Sequence, residues 1–281
     1  MRAEAASVHL VHTDEDLASQ SDCILSIVPP RDALTTARRI VDASSSPSFK
    51  QRKSPLYYLD LNAVSPRSAR EIESLFSQVS EQIRLIDGAI IGGPPRPKND
   101  SDIGGGWYRP SMPLSGPYKL SDVMPAGAQL AELLNTKHIS DDIGGASGLK
   151  MCFASLTKGF TALAIQSFTT AHRLGVTTEL QEHLSNYSPK TFELTKGITT
   201  MPPKAYRWVR EMQEISATFH EDGGFDKDED IFGGIANVYD LVANETDLGL
   251  EKTEDRKRGL DQEDVAKLVS EGIEKRKAKT D

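Results

Sequence analysis

The chain has 281 residues, 38% of them hydrophobic and 26% charged, with a formal net charge of -8. This length predicts two domains, and the acidic balance excludes a nucleic-acid scaffold, whose phosphate contacts need clustered Lys and Arg. Cys23 and Cys152, the two cysteines, exclude a disulfide framework and point to a reducing, cytoplasmic setting; no apolar run has membrane-spanning length.

The first half reads as strands alternating with helices. Val8 to Val11 is a short predicted strand, and Asp14 to Ser19 a helical turn behind an acidic cap. Cys23 to Val28 (CILSIV) is a buried-type strand stopped by Pro29 and Pro30, and Arg31 to Ala43 has helical spacing. Leu56 to Leu61 is the next strand. Ser65-Pro66 then opens a helix with Ile72, Leu75, Phe76 and Val79 on one face. Ile83 to Ile91 is a third strand running into Gly92. Such alternation predicts parallel pairing with right-handed crossovers, and ligands bind beyond the carboxyl ends of such strands. Pro29, Pro30, Asn62, Gly92 and Gly93 all fall at those ends.

Residues 94–127 are rich in Pro, Gly and Ser and read as loop, with one strand near Leu114. A helix over Ala126 to Leu134 and a strand over Lys137 to Ile139 close the first domain. From Gly148 the texture changes: Leu149 to Leu174 is a proline-free apolar helix predicted to be buried on most sides. Helices follow at Thr178 to Ser185, Thr191 to Ile198, Pro203 to Phe219, Ile231 to Glu245 and Gln262 to Lys277. The expected class is therefore α/β then all-α, a Rossmann-like parallel-sheet domain over residues 1–143 followed by a helical domain over 144–281.

LYYLDLNAVSP, IDGAIIGGPP and KMCFASLTKGFTALAIQSF resemble the 6-phosphogluconate dehydrogenase and β-hydroxyacid dehydrogenase superfamily. PPKAYRWVREMQEISATF is similar to its subfamily with a phosphogluconate dehydrogenase C-terminal domain. The resemblance implies hydride transfer between NAD or NADP and a small hydroxy acid, in a homodimer. It assigns proton transfer to Lys150, at the start of the long helix, where helix dipole and burial both favour the neutral amine. It places Pro29, Pro30 and Asn62 on the cofactor side and Gly92 and Gly93 on the substrate side. Lys158, two turns beyond Lys150, is a candidate second cation of the substrate site. Two polar groups of the family pattern are replaced, by Ile91 before the double glycine and by Ala154 after the lysine.

The sequence has no G-x-G-x-x-G turn. Gly104 to Gly106 lie deep in the proline-rich loop, and GGASG at 144–148 has other spacing. MRAEAASVHLVHTDEDL resembles the family's second helix and third strand, so an opening strand-helix-strand unit of roughly thirty residues is expected to be lacking through truncation. Val8 to Val11 would then have no neighbour, and Cys23 to Val28 would form an open edge. The alternative function is a non-catalytic protein whose helical domain mediates self-association.

Asp226, Asp228 and Asp230 alternate as in a calcium loop, but Ile231 stands where that loop needs glycine, so a capped helix start is expected. Phe153, Leu156, Phe160, Leu163, Ala164 and Ser167 form a stripe that is either core or a dimer seam.

Overall fold

The computed structural model describes residues 7–78, 81–98 and 106–279. It divides into two compact units, Met1–Lys150 and Met151–Asp281. Val79, Gly104 and Gly105 lie outside the described residues.

Unit 1 alternates as its sequence predicts. Helix α1 (Asp14–Gln20) is capped by Thr13, whose hydroxyl accepts the Asp16 amide. Strand β1 (Cys23–Ser26), α2 (Ala33–Ala43), α3 (Pro47–Lys50), β2 (Leu56–Asp60), α4 (Pro66–Ser77) and β3 (Ile83–Gly88) follow. Ser65 caps α4 through the Ser68 amide, with Pro66 as its first residue. A short antiparallel pair, β4 (Arg96–Pro97) and β5 (Trp107–Tyr108), precedes β6 (Met112–Ser115), α5 (Gly127–Leu133) and β7 (Thr136–Ser140).

The main sheet has the order β1-β2-β3-β6-β7. The first three strands are parallel, with Ser26 beside Asp60 and Asp60 beside Asp87. β6 runs antiparallel to β3, a departure from the all-parallel expectation, and β7 is parallel to β6. The reason is the connection. Among the described residues no helix lies between β3 and β6, and an antiparallel neighbour needs no crossover helix. Every residue of β2 is buried, with Leu56 and Tyr58 facing Ala37, Ile40, Ile72 and Phe76, and Tyr57 and Leu59 facing Leu114, Leu120 and Val123. Apolar cover on both faces explains the uninterrupted run LYYL.

Two strand expectations change. Val8 to Val11 forms no strand; Val8 is 55% exposed and Leu10 52%, since no described strand lies on the outer side of β1 to pair with them. β1 stops at Ser26 because the Val28 amide leaves the ladder and donates to Asn62 Oδ1 at 2.7 Å. Among the described residues β1 is the sheet's edge.

Helix α6 (Gly145–Leu174) starts four residues earlier than expected and carries the chain into unit 2. There follow α7 (Thr177–Tyr187), α8 (Pro189–Thr195), α9 (Gly197–Thr200), α10 (Ala205–Glu221), α11 (Phe232–Asn244) and α12 (Gln262–Ala278), with no strand among the described residues of this unit. Its core includes Ile165, Phe168, Met212, Ile215, Tyr239, Val265 and Val269. Asp226 forms a capping box with Glu229, while Asp230 accepts the Phe232 and Gly233 amides, so these carboxylates act as helix caps. α6 is less enclosed than its apolar sequence predicts. Ala164 is buried, yet Leu156 is 77% and Leu163 59% exposed, beside a groove of about 870 Å³ also lined by Phe160, Phe219 and Phe232.

Candidate functional site

The carboxyl ends of β1, β2 and β3 share one edge because these strands are parallel. Three side-chain systems organise that edge.

The first centres on Asn62, 4% exposed just beyond β2. Its Oδ1 accepts the Val28 amide, and its Nδ2 donates to Ser26 Oγ at 3.0 Å and to Asp60 Oδ1. Asn62 thus latches the loop that carries Pro29 and Pro30 onto the tip of β2. Its own amide is fully used in doing so. Through these bonds Asn62 shapes the Pro29-Pro30 loop.

Asp60, immediately upstream, is 1% exposed, and its Oδ2 has no hydrogen-bond partner. Burial pushes its carboxyl up to about 7; the Asn62 amide pulls downward and neighbouring Asp87 pushes further up. A carboxyl whose folded pKa exceeds its unfolded value stabilises the fold in its protonated form. That contribution is complete below about pH 4 and is lost as pH rises toward 7. Urea midpoints measured from pH 4 to 8 should therefore fall through this range in the native chain, while Asp60→Asn flattens the curve; parallel curves would refute the assignment.

The second system centres on Asp87, fully buried near the end of β3. Its Oδ2 accepts Ser115 Oγ at 2.7 Å, the Gly144 amide at 2.9 Å and the Ser147 amide at 3.2 Å. Its Oδ1 accepts Ser147 Oγ at 2.5 Å, and Ser115 Oγ in turn accepts the Ala146 amide at 2.9 Å. Burial raises the carboxyl's pKa, and the Ser147 and Ser115 hydroxyls oppose that rise. The first amides of α6, which no helix carbonyl can satisfy, are thus bound by side chains of β3 and β6. Gly144 adopts φ +103°, and a Cβ there would lie 2.8 Å from Pro66 Cβ. Glycine is required at this entry to the helix.

The third system is the tip of β3 itself. Lys150 Nζ donates to the Ile90 carbonyl at 2.8 Å. Ile91 bridges Ser111 in isolation beyond the strand, so the chain remains extended into Gly92. Gly92 has φ +124°, and a Cβ there would meet Tyr108 Oη at 2.5 Å. The Gly93 amide donates to the same hydroxyl at 3.3 Å. Tyr108, which the sequence reading overlooked, therefore covers the glycine turn, and Arg96 packs over its ring.

Lys150 and the Gly92-Gly93 turn are thus gathered around the end of β3, while Pro29, Pro30 and Asn62 are tied together on the neighbouring tips. Lys158 belongs to unit 2. Its ammonium pairs with the buried Glu211 and lies over the Trp208 ring at 4.9 Å, and Tyr239 Oη donates to its carbonyl. Lys158 is thus tied to side chains of α10.

A nicotinamide dinucleotide can be tested against the strand tips. Pro29 and Pro30 give an N–H-free, rigid surface suited to a flat ring and its ribose. They cannot cradle a pyrophosphate, because prolines carry no amide proton and the Val28 amide is already bonded. The Pro29-Pro30 loop thus offers a rigid apolar surface and no amide for a diphosphate.

Comparison with known proteins agrees with this architecture. Residues 171–242 match the family described as Domain of unknown function (DUF1932). A 28.5 kDa uncharacterized protein of Methanothermus fervidus is 29% identical over 192 residues, 68% of this chain and 64% of that protein, so the match spans less than two thirds of the relative. Among solved structures, the conserved protein MTH1747, whose description states structural similarity with 3-hydroxyacid dehydrogenases, is 25% identical. It covers 86% of this chain and 82% of its own, with a TM-score of 0.54. The chain shares the fold of this protein. The 3-hydroxyisobutyrate dehydrogenase of Mycobacterium tuberculosis shares this 3-hydroxyacid dehydrogenase fold at 13% identity, covering 94% of this chain and 85% of its own, with a TM-score of 0.54. A conserved hypothetical protein of Sinorhizobium meliloti reaches 0.58 at 18% identity, covering 96% of this chain and 81% of its own.

Proposed function

We propose that this 3-hydroxyacid dehydrogenase-like chain is an oxidoreductase that moves a hydride between a nicotinamide nucleotide and a small hydroxy acid or related carbonyl compound. The observation that carries the reading is the contact between Lys150 and the Ile90 carbonyl, which brings an amine to the parallel-strand edge beside a glycine turn. The nucleotide supplies the hydride acceptor in one direction and the hydride donor in the other. Lys150 Nζ accepts the hydroxyl proton as the substrate carbon loses its hydride, and returns that proton on reduction. The Ile90 carbonyl orients the amine. Pro29 and Pro30, held by Asn62, flank the nicotinamide, and the Gly92-Gly93 backbone faces the substrate acid once Tyr108 moves off it.

Ile91 and Ala154 stand where the resemblance expects polar substrate contacts. They favour a substrate with fewer hydroxyls than a sugar acid. Titration with NADPH and NADH tests the reading, which expects saturable micromolar binding of one of them and faster nucleotide oxidation with a 3-oxo acid present. Absence of both would support the non-catalytic alternative. The exposed Leu156 and Leu163 beside their groove further support a homodimer through α6, read out by sedimentation equilibrium.

A further inference from the structure

We infer that Asp87 is the positioning residue for Lys150, setting the phase of α6 so that the lysine amine meets the Ile90 carbonyl. This rests on the proposed proton-transfer role of Lys150, and it goes beyond that role by naming what holds the amine in place.

The geometry separates this function from ordinary helix capping. A capping side chain normally lies within a few residues of the amides it binds. Here the cap comes from β3, separated by 57 residues from Gly144 and by 60 from Ser147. The same strand supplies the acceptor for Lys150, again 60 residues away in sequence. β3 therefore grips the start of α6 at two points, a carboxylate at Asp87 and a carbonyl at Ile90. Both intervals are three residues long: Asp87 to Ile90 on the extended chain and Ser147 to Lys150 on the helix. Three residues span roughly 10 Å of extended chain and roughly 4.5 Å of helix. The long, flexible lysine stem bridges the difference. A rotation or slide of the helix would break the Asp87 bonds and lift the amine from Ile90 together.

Charge reinforces the arrangement. A carboxylate that receives four donors acts as acceptor at each, the behaviour of the ionised form. Its negative charge offsets the positive end of α6, on the turn that bears Lys150. The other charged groups around it are Asp60, its register partner on β2, and Arg70 of α4, whose guanidinium lies against Gly144. Ser115 completes the device by bonding Asp87 and the Ala146 amide at once.

The test uses the full chain, with its lysines reductively methylated by isotope-labelled formaldehyde and the Lys150 resonance assigned by its loss in Lys150→Ala. In Asp87→Asn the Lys150 resonance should move and titrate at lower pH, since a nearby negative charge is gone. Turnover should fall on the order of 100-fold, the cost of misplacing a reacting group by about an ångström. Ser147→Ala, which keeps both backbone bonds to Asp87, should shift the resonance the same way by less, and serves if Asp87→Asn does not fold. An unchanged Lys150 titration in both variants overturns the positioning role even if Lys150→Ala is inactive. Full turnover in Lys150→Ala overturns the catalytic reading instead, while the resonance still reports whether Asp87 holds the amine.

Discussion

Replacing Lys150 with alanine should lower turnover by about 10²- to 10⁴-fold while leaving the fold intact, the range that general acid–base groups typically supply. The side chain crosses from the first turns of α6 to the Ile90 carbonyl, so truncation removes the one amine that this contact brings to the glycine turn. It leaves the Asp87 bonds to Gly144 and Ser147 in place. Stability should therefore change little, the hydrogen bond to the Ile90 carbonyl being worth about 1 kcal/mol net. Nucleotide affinity should also persist, since the residues proposed to flank the nicotinamide lie beyond the ends of β1 and β2. A low turnover with unchanged KM for nucleotide is the expected signature, and Lys150→Arg should not restore it, because a guanidinium does not release its proton near neutrality. Wild-type turnover in the alanine variant would remove Lys150 from the chemistry.

The second large effect is expected at Gly144. Gly144→Ala should destabilise the chain by about 2–5 kcal/mol, combining strain at positive φ with overpacking. Both causes are local and specific. The backbone sits at φ +103°, and the added carbon would press on Pro66 Cβ at 2.8 Å and approach the Arg70 guanidinium. Pro66 belongs to the first turn of α4, so it cannot yield without moving that helix. Relief would require the Gly144 amide to swing away from Asp87, which exposes a buried carboxylate to a lost donor. Denaturant unfolding checks the size of the effect, and a midpoint within error of the native chain would show that the helix entry tolerates a side chain.

Much of this fold is legible in the residues. LYYLD announces a strand covered on both faces, and Ser65-Pro66 announces its helix through a cap and a fixed φ. Local signals of that kind need no knowledge of the tertiary structure. The antiparallel pairing of β6 with β3 is different, since strand direction is not encoded in periodicity. The failed strand at Val8 to Val11 has a similar cause: apolar residues become a strand only when another strand offers a ladder.

The site divides in the same way. Glycines and prolines are legible at the strand ends, and resemblance alone singles out Lys150. Asp87 and Asp60 carried an unread signal, because a carboxylate inside a continuous apolar strand is rarely buried without a task. Tyr108 gave no such signal, lying in a loop whose path only the fold reveals. Helical periodicity places Lys158 near the face of Lys150 but says nothing of Glu211 and Trp208, which hold its ammonium.

The central claim is that the Lys150 amine at the tip of β3 works next to a bound nicotinamide nucleotide. Its most direct measurement follows the resonance of methylated Lys150 while NADPH or NADH is added to the full chain. The account predicts a saturable shift of that resonance by one nucleotide at micromolar concentration. A resonance unmoved by either nucleotide, while other signals report saturable binding, would contradict it.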